Sequence, residues 1–139
     1  TRVVNGRNPI VAHEYLGDSV EGKTVFIADD IIASGESMLE VASNLKARGA
    51  KRIIADATFP LFTSGLDKFD KAVEEGTLDY VVGTNLTYRK PELLNRDWYV
   101  DVDVSKYAAY FIVALNHDMS VSSIIDPIKK IEALLASRK

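Results

Sequence analysis

A chain of 139 residues, 47% of them apolar and 27% charged, is long enough to bury a core and short enough to form one domain. Its formal net charge of −3 gives no basic footprint, which excludes nucleic acid and anionic membranes as main partners. There is no cysteine for a disulfide or a thiolate metal site, the two histidines lie far apart, and no long apolar run or leader pattern is present, so the cytoplasm is the default compartment.

The chain opens on Thr1 rather than Met, as a fragment would, and residues 1–4 read as a strand or an arm. Asn5-Gly6 and Asn8-Pro9 are breakers, and residues 10–16 then form a short strand whose His13 reads as structural. Residues 17–24, Gly-Asp-Ser-Val-Glu-Gly-Lys-Thr, satisfy the spacing of a P-loop. The context rejects it. The Lys-Thr of a P-loop opens a helix that holds phosphates at its N-terminus, whereas Thr24 leads into Val-Phe-Ile-Ala, which is strand.

That strand runs into Asp29 and Asp30, then Ile31 and Ile32, then the small, hydroxyl-rich stretch Ala33, Ser34, Gly35, Glu36, Ser37. Ser37 and Glu40 have capping-box spacing, which predicts a helix starting there and a turn before it. Such a turn aims unpaired N–H groups and the positive end of a helix dipole at one point, where an anion is stabilised. Two adjacent carboxylates at a strand end repel each other unless a ribose diol or a divalent cation shares their charge. Together they describe a 5-phosphorylated ribose lying across the strand ends, where open α/β sheets bind ligands.

Beyond the turn, Met38, Val41, Ala42 and Leu45 predict a helix over 38–48, ended by Gly49 as a left-handed cap. A second strand over 53–59 stops at Pro60, Leu66, Phe69 and Val73 mark a second helix ended by Gly76, and a third strand covers 78–84. Arg89-Lys90-Pro91 is a polar loop. Residues 98–104 alternate as a half-exposed strand whose Asp101 and Asp103 read as solvated rather than metal-binding, and Ser105 is placed to cap a helix over 107–112. After residues 120–125, Asp126 is the N-cap and Pro127 the first residue of a last helix with Ile128, Ile131 and Leu135 on one face. There is no internal repeat. The strand–helix alternation predicts an α/β fold with a mainly parallel sheet.

The stretch from Val25 to Ser37 resembles the ribose-phosphate-binding signature of type I phosphoribosyltransferases and of the related ribose-phosphate pyrophosphokinases. The second family fits more of the chain. Gly17-Asp18 with Glu21-Gly22-Lys23, Ala57-Thr58 with Leu61-Phe62, Thr84-Asn85, and Ser120-Val121-Ser122-Ser123-Ile124 after His117 are all similar to its motifs. The chain departs from the pattern at Ala33, where many members carry an acid, and at Phe59 and Pro60, which replace the usual His-Gly.

This resemblance implies a three-layer phosphoribosyltransferase-like fold with helices on both faces of the sheet, and a chain that forms one domain, the C-terminal half of a two-domain enzyme. The implied reaction makes phosphoribosyl pyrophosphate from ATP and ribose 5-phosphate with Mg2+. Asp29 and Asp30 would hold the ribose hydroxyls and the metal. Ala33, Ser34, Gly35, Glu36 and Ser37 would hold the 5-phosphate, with Glu36 pointing its carboxylate away. The N-terminal half of the same enzyme is the implied partner, within a homo-oligomer, and this piece alone is expected to be inactive. No residue of the chain is assigned as catalytic. A phosphoribosyltransferase of nucleotide salvage and a non-catalytic regulatory relative are the alternatives.

Overall fold

The computed structural model describes residues 17–138. The readings on residues 1–16, including the strand over 10–16 and His13, lie outside the described residues. The chain divides into two compact units, Thr1–Val102 and Asp103–Lys139.

In the first unit the elements follow as β1 (Thr24–Ile32), α1 (Glu36–Ala47), β2 (Arg52–Pro60), α2 (Asp67–Glu74), β3 (Tyr80–Thr84), α3 (Pro91–Leu94) and β4 (Tyr99–Val102). The strands form one sheet in the order β1-β2-β3-β4, and every pair is parallel. This is the α/β architecture that the alternation predicts. β1 begins at Thr24, so the Lys-Thr of the P-loop-like spacing does enter a strand.

Each crossover steps the same way along the sheet, and right-handed crossovers then put their helices on one face. The core agrees. Ile53, Ala55 and Ala57 of β2 are fully buried in one cluster with Met38, Ala42 and Leu45 of α1, Phe69 and Ala72 of α2, and Leu93 of α3. The intervening Ile54, Asp56 and Thr58 are only half-buried. Each large apolar side chain buried in this way contributes about 1.5–3 kcal/mol. Among the described residues of this unit, α1, α2 and α3 share one face of the sheet, and the remaining described helices belong to the second unit.

Gly49 sits at φ 87 after α1. Its N–H donates to the Lys46 carbonyl at 3.0 Å and the Ala50 N–H donates to that of Leu45 at 3.2 Å, which closes the last turn as the expected left-handed cap. The polar loop expected at Arg89-Lys90-Pro91 instead leads into α3, with Pro91 as its first residue.

The second unit holds α4 (Ser105–Asn116), α5 (Ser122–Ile125) and α6 (Ile128–Ala136). Ser105 is the first helical residue of α4 rather than its cap. The Asp103 carboxylate accepts the Ser105 N–H at 2.9 Å, so the residue read as solvated does the capping. Asp126 accepts the Ile128 N–H at 3.0 Å, the role expected of it, although the helix begins one residue after Pro127. The expected stripe of Ile128, Ile131 and Leu135 is exposed. Lys130 lies 4.8 Å from the ring centre of Tyr107 and joins α6 to α4. Among the described residues no helix is long and apolar enough to cross a membrane.

Candidate functional site

β1 carries Val25 and Ile27 towards the core and Phe26 towards the other face. Strict alternation would next bury Ile31, but Ile31 is 44% exposed and Ile32 is 1% exposed. β2 changes phase at the same level, with Ala57 buried, Phe59 37% exposed and Pro60 buried. The pairing does not slip, since Asp29 lies opposite Ala57, Ile31 opposite Phe59 and Ile32 opposite Pro60. The two strands therefore rotate together just past the acids, as twisted neighbours do.

Asp29 and Asp30 lie at this rotation. They are not the strand's tip, because β1 continues to Ile32. Successive side chains on a strand point to opposite faces, so the two exposed carboxylates do not stand side by side. Asp29 also accepts the backbone N–H of Asp30 at 2.8 Å, which leaves its other oxygen for a ligand. Among the described residues no group of three or more acidic, histidine or cysteine side chains is arranged to hold a metal ion.

The turn follows at once. Gly35, at φ 77, is the N-cap of α1, and the helix starts at Glu36 rather than Met38. Ser37 therefore sits inside the first turn instead of capping it. Ser34 takes up part of that work through a long bond of 3.4 Å from the Glu36 N–H to its hydroxyl. The first helical bond closes from the Leu39 N–H to the Gly35 carbonyl at 2.9 Å. Among the described residues the amides of Ser34, Gly35, Ser37 and Met38 have no partner, so several donors remain open at the positive end of a twelve-residue helix. Ala33 is exposed at the entrance, and the Glu36 carboxylate turns to Lys68 of α2 at 2.6 Å.

The loop after β2 supports this turn from beside it. Leu61 and Phe62 donate their N–H groups to the Ile32 carbonyl at 2.9 and 3.0 Å, and Thr63 donates to that of Ala33 at 2.9 Å. Phe62 adopts φ 45, a conformation non-glycine residues rarely take, and its ring meets that of Phe69 edge-on at 4.9 Å. Phe69 is fully buried beneath Gly35, and a β-carbon added to Gly35 would collide with its ring. The small residue here was expected to let a ligand approach. It is already required by the positive φ and by Phe69. Helical spacing had placed Phe69 on an apolar face, but no signal in the sequence placed it under the turn.

Two ion pairs brace the far side of the unit. Arg89 forks onto Asp101 through Nε at 2.7 Å and Nη2 at 3.1 Å, so Asp101 is paired rather than simply solvated as expected. Arg96 forks onto Asp70 with two bonds of 2.8 Å, and Trp98 Nε1 adds a third at 2.7 Å. Burial alone would raise the Asp70 carboxyl, but the hydrogen bonds from Arg96 and Trp98 and the Arg96 charge hold it below its ordinary value.

Known proteins resemble this chain to different extents. A ribose-phosphate pyrophosphokinase of Vibrio cholerae is 30% identical over 111 residues, covering 80% of this chain and 34% of the relative. An orotate phosphoribosyltransferase of Oceanobacillus iheyensis is 41% identical over 64 residues, which cover 46% of this chain and 30% of that protein. The crystal structure of phosphoribosylpyrophosphate synthetase from Mycobacterium smegmatis superposes with a TM-score of 0.63 at 24% identity, over 73% of this chain and 33% of that one, and shares its fold. The chain thus spans about a third of the length of the curated pyrophosphokinases it matches. A family model described as "Phosphoribosyl synthetase-associated domain" matches residues 5–126, a span that takes in the acid pair, the turn and the whole sheet, and by that match the chain belongs to this family.

Proposed function

We propose that the chain is the ribose 5-phosphate-binding part of an enzyme that transfers the pyrophosphoryl group of ATP to the 1-hydroxyl of ribose 5-phosphate, giving phosphoribosyl pyrophosphate and AMP. The observation that carries this reading is the set of open amides at Ser34, Gly35, Ser37 and Met38, directly after two exposed carboxylates on the same strand. The amides suit three phosphate oxygens, and the hydroxyls of Ser34 and Ser37 add donors. Asp29 and Asp30 suit the hydroxyls of the sugar. Relatives named as ribose-phosphate pyrophosphokinases support the assignment, and because the match covers about a third of their length, ATP binding, the N-terminal half as partner, a homo-oligomer and a cytoplasmic setting are parts of the proposal.

Mg2+ is held in many phosphoryl-transfer sites by one or two carboxylates together with substrate oxygens, and a single exposed carboxylate of Asp29 or Asp30 would suit that mode. When bound, the ion neutralises charge on the transferring group. The residues of this chain orient the sugar and fix its phosphate, and such positioning accounts for much of the rate in reactions of this kind.

Calorimetric titration with ribose 5-phosphate and with inorganic phosphate tests the assignment. Asp30→Asn is expected to weaken ribose 5-phosphate about tenfold or more and to leave phosphate nearly unchanged, since a hydrogen bond to a charged group is worth about 1.5–3 kcal/mol. Ser37→Ala is expected to weaken both by about five- to tenfold. Unchanged ribose 5-phosphate binding in both variants would overturn the reading. The 41% identity to the orotate phosphoribosyltransferase over 64 residues favours a transferase as the second reading, distinguished by a product formed from phosphoribosyl pyrophosphate and a free base.

A further inference from the structure

The loops that leave the C-terminal ends of β2 and β3 enclose a cleft of about 130 Å³. Pro60, Leu61, Phe62, Leu66 and Leu93 make its walls apolar, and the β3 loop adds Tyr88 and Lys90. An apolar cavity of about 150 Å³ accepts benzene, so the space suits one six-membered ring.

Three further features point to a ligand. Lys90 has no anionic partner among the described residues, whereas its neighbour Arg89 is neutralised by Asp101. Tyr88 is 81% exposed, which leaves one face of its ring open for stacking. Phe62, in the wall, holds its left-handed backbone through its N–H bond to Ile32 and its contact with Phe69. Backbone strain of this kind collects at functional sites.

We propose that this cleft is a binding subsite for a single planar ring bearing an anionic group, with the ring against the apolar walls and Tyr88 and the anion at the Lys90 ammonium. It is separate from the turn at residues 33–37, and the assignment does not depend on the ribose phosphate reading. A cationic ring is disfavoured by Lys90, and a small anion without a ring leaves the walls unfilled.

Amide-resolved NMR titration of the chain with benzoate, with benzylamine as a ring of opposite charge and with acetate as an anion without a ring, tests this. Benzoate is expected to shift the amides of Leu61, Phe62, Tyr88 and Lys90 saturably, and the other two to leave them in place at equal concentration. Lys90→Gln, an exposed change, is expected to weaken benzoate at least fivefold. No shift at those amides, equal binding of benzylamine, or unchanged affinity in Lys90→Gln would overturn the proposal. Ribose 5-phosphate is titrated in the same samples and read at residues 34–38, so failure of either assignment leaves the other standing.

Discussion

The ring of Phe69 fills the volume in which a side chain on Gly35 would begin. One residue opens the turn before α1 and the other anchors α2 in the core, so turn and core share one contact.

Gly35→Ala is therefore expected to destabilise the fold by about 2–4 kcal/mol, adding the cost of a positive φ without glycine to that of overpacking. Urea unfolding measures this. Adding Phe69→Leu to Gly35→Ala should cost less than the sum of the single changes, because the second makes room for the first. Strictly additive losses would show that the two positions are not in contact.

Asp70 accepts from both Arg96 and Trp98, and its depressed carboxyl value means that folding favours the ionised form. Its contribution is complete above the ordinary carboxylate range and is lost as the pH falls through the lowered folded value. Asp70→Ala strands the indole N–H of a buried tryptophan and is expected to cost about 1–3 kcal/mol at neutral pH, towards the lower end because the pair is partly solvent-screened. In thermal melts the gap between variant and parent should close between about pH 5 and pH 2.

Asp56 behaves in the opposite sense. It sits half-buried on β2 opposite Ala28 and Val82, and burial raises its carboxyl above the ordinary value. Folding then disfavours the charged form, so the cost is present at neutral pH and is relieved as the pH falls through the raised folded value. Asp56→Asn should raise the melting temperature at pH 7, and the advantage should shrink as the pH approaches about 4. A variant less stable than the parent at pH 7 would contradict this.

Tyr99 is buried with a hydroxyl that has no partner among the described residues. Burial, with the Asp101 charge adding and Arg89 opposing, pushes its phenol up to about 12. Tyr99→Phe should leave stability unchanged or raise it by about 1 kcal/mol, since no hydrogen bond is lost. In the parent, stability should fall as the pH rises from about 10 towards that value, and the variant should lack this part of the loss.

The strands and the two main helices were legible because their apolar spacing belongs to the residues themselves. The start of α1 was not. Ser37 with Glu40 has capping-box spacing, but the positive φ of Gly35 begins the helix two residues earlier, and that angle is held by Phe69 from a distant part of the chain. The phase change after Asp30 was equally hidden, because it depends on Phe59 and Pro60 across the sheet. The acids and the small residues of the turn could be read from composition and order. That Asp29 and Asp30 face opposite ways follows from strand geometry, and it limits how the proposed sugar could engage both.

Among the described residues the sheet winds in a single direction, β1 to β4, with no place where crossovers diverge to opposite faces. Crevices in open α/β sheets form at such a divergence, between two neighbouring strands. The acid pair lies on the outermost of the four described strands, so on the proposed reading these strands supply one bank of a crevice there. On the proposed reading the facing bank would come from polypeptide other than β2, β3 and β4, and whatever supplies it would meet the proposed sugar on the side that the turn leaves open.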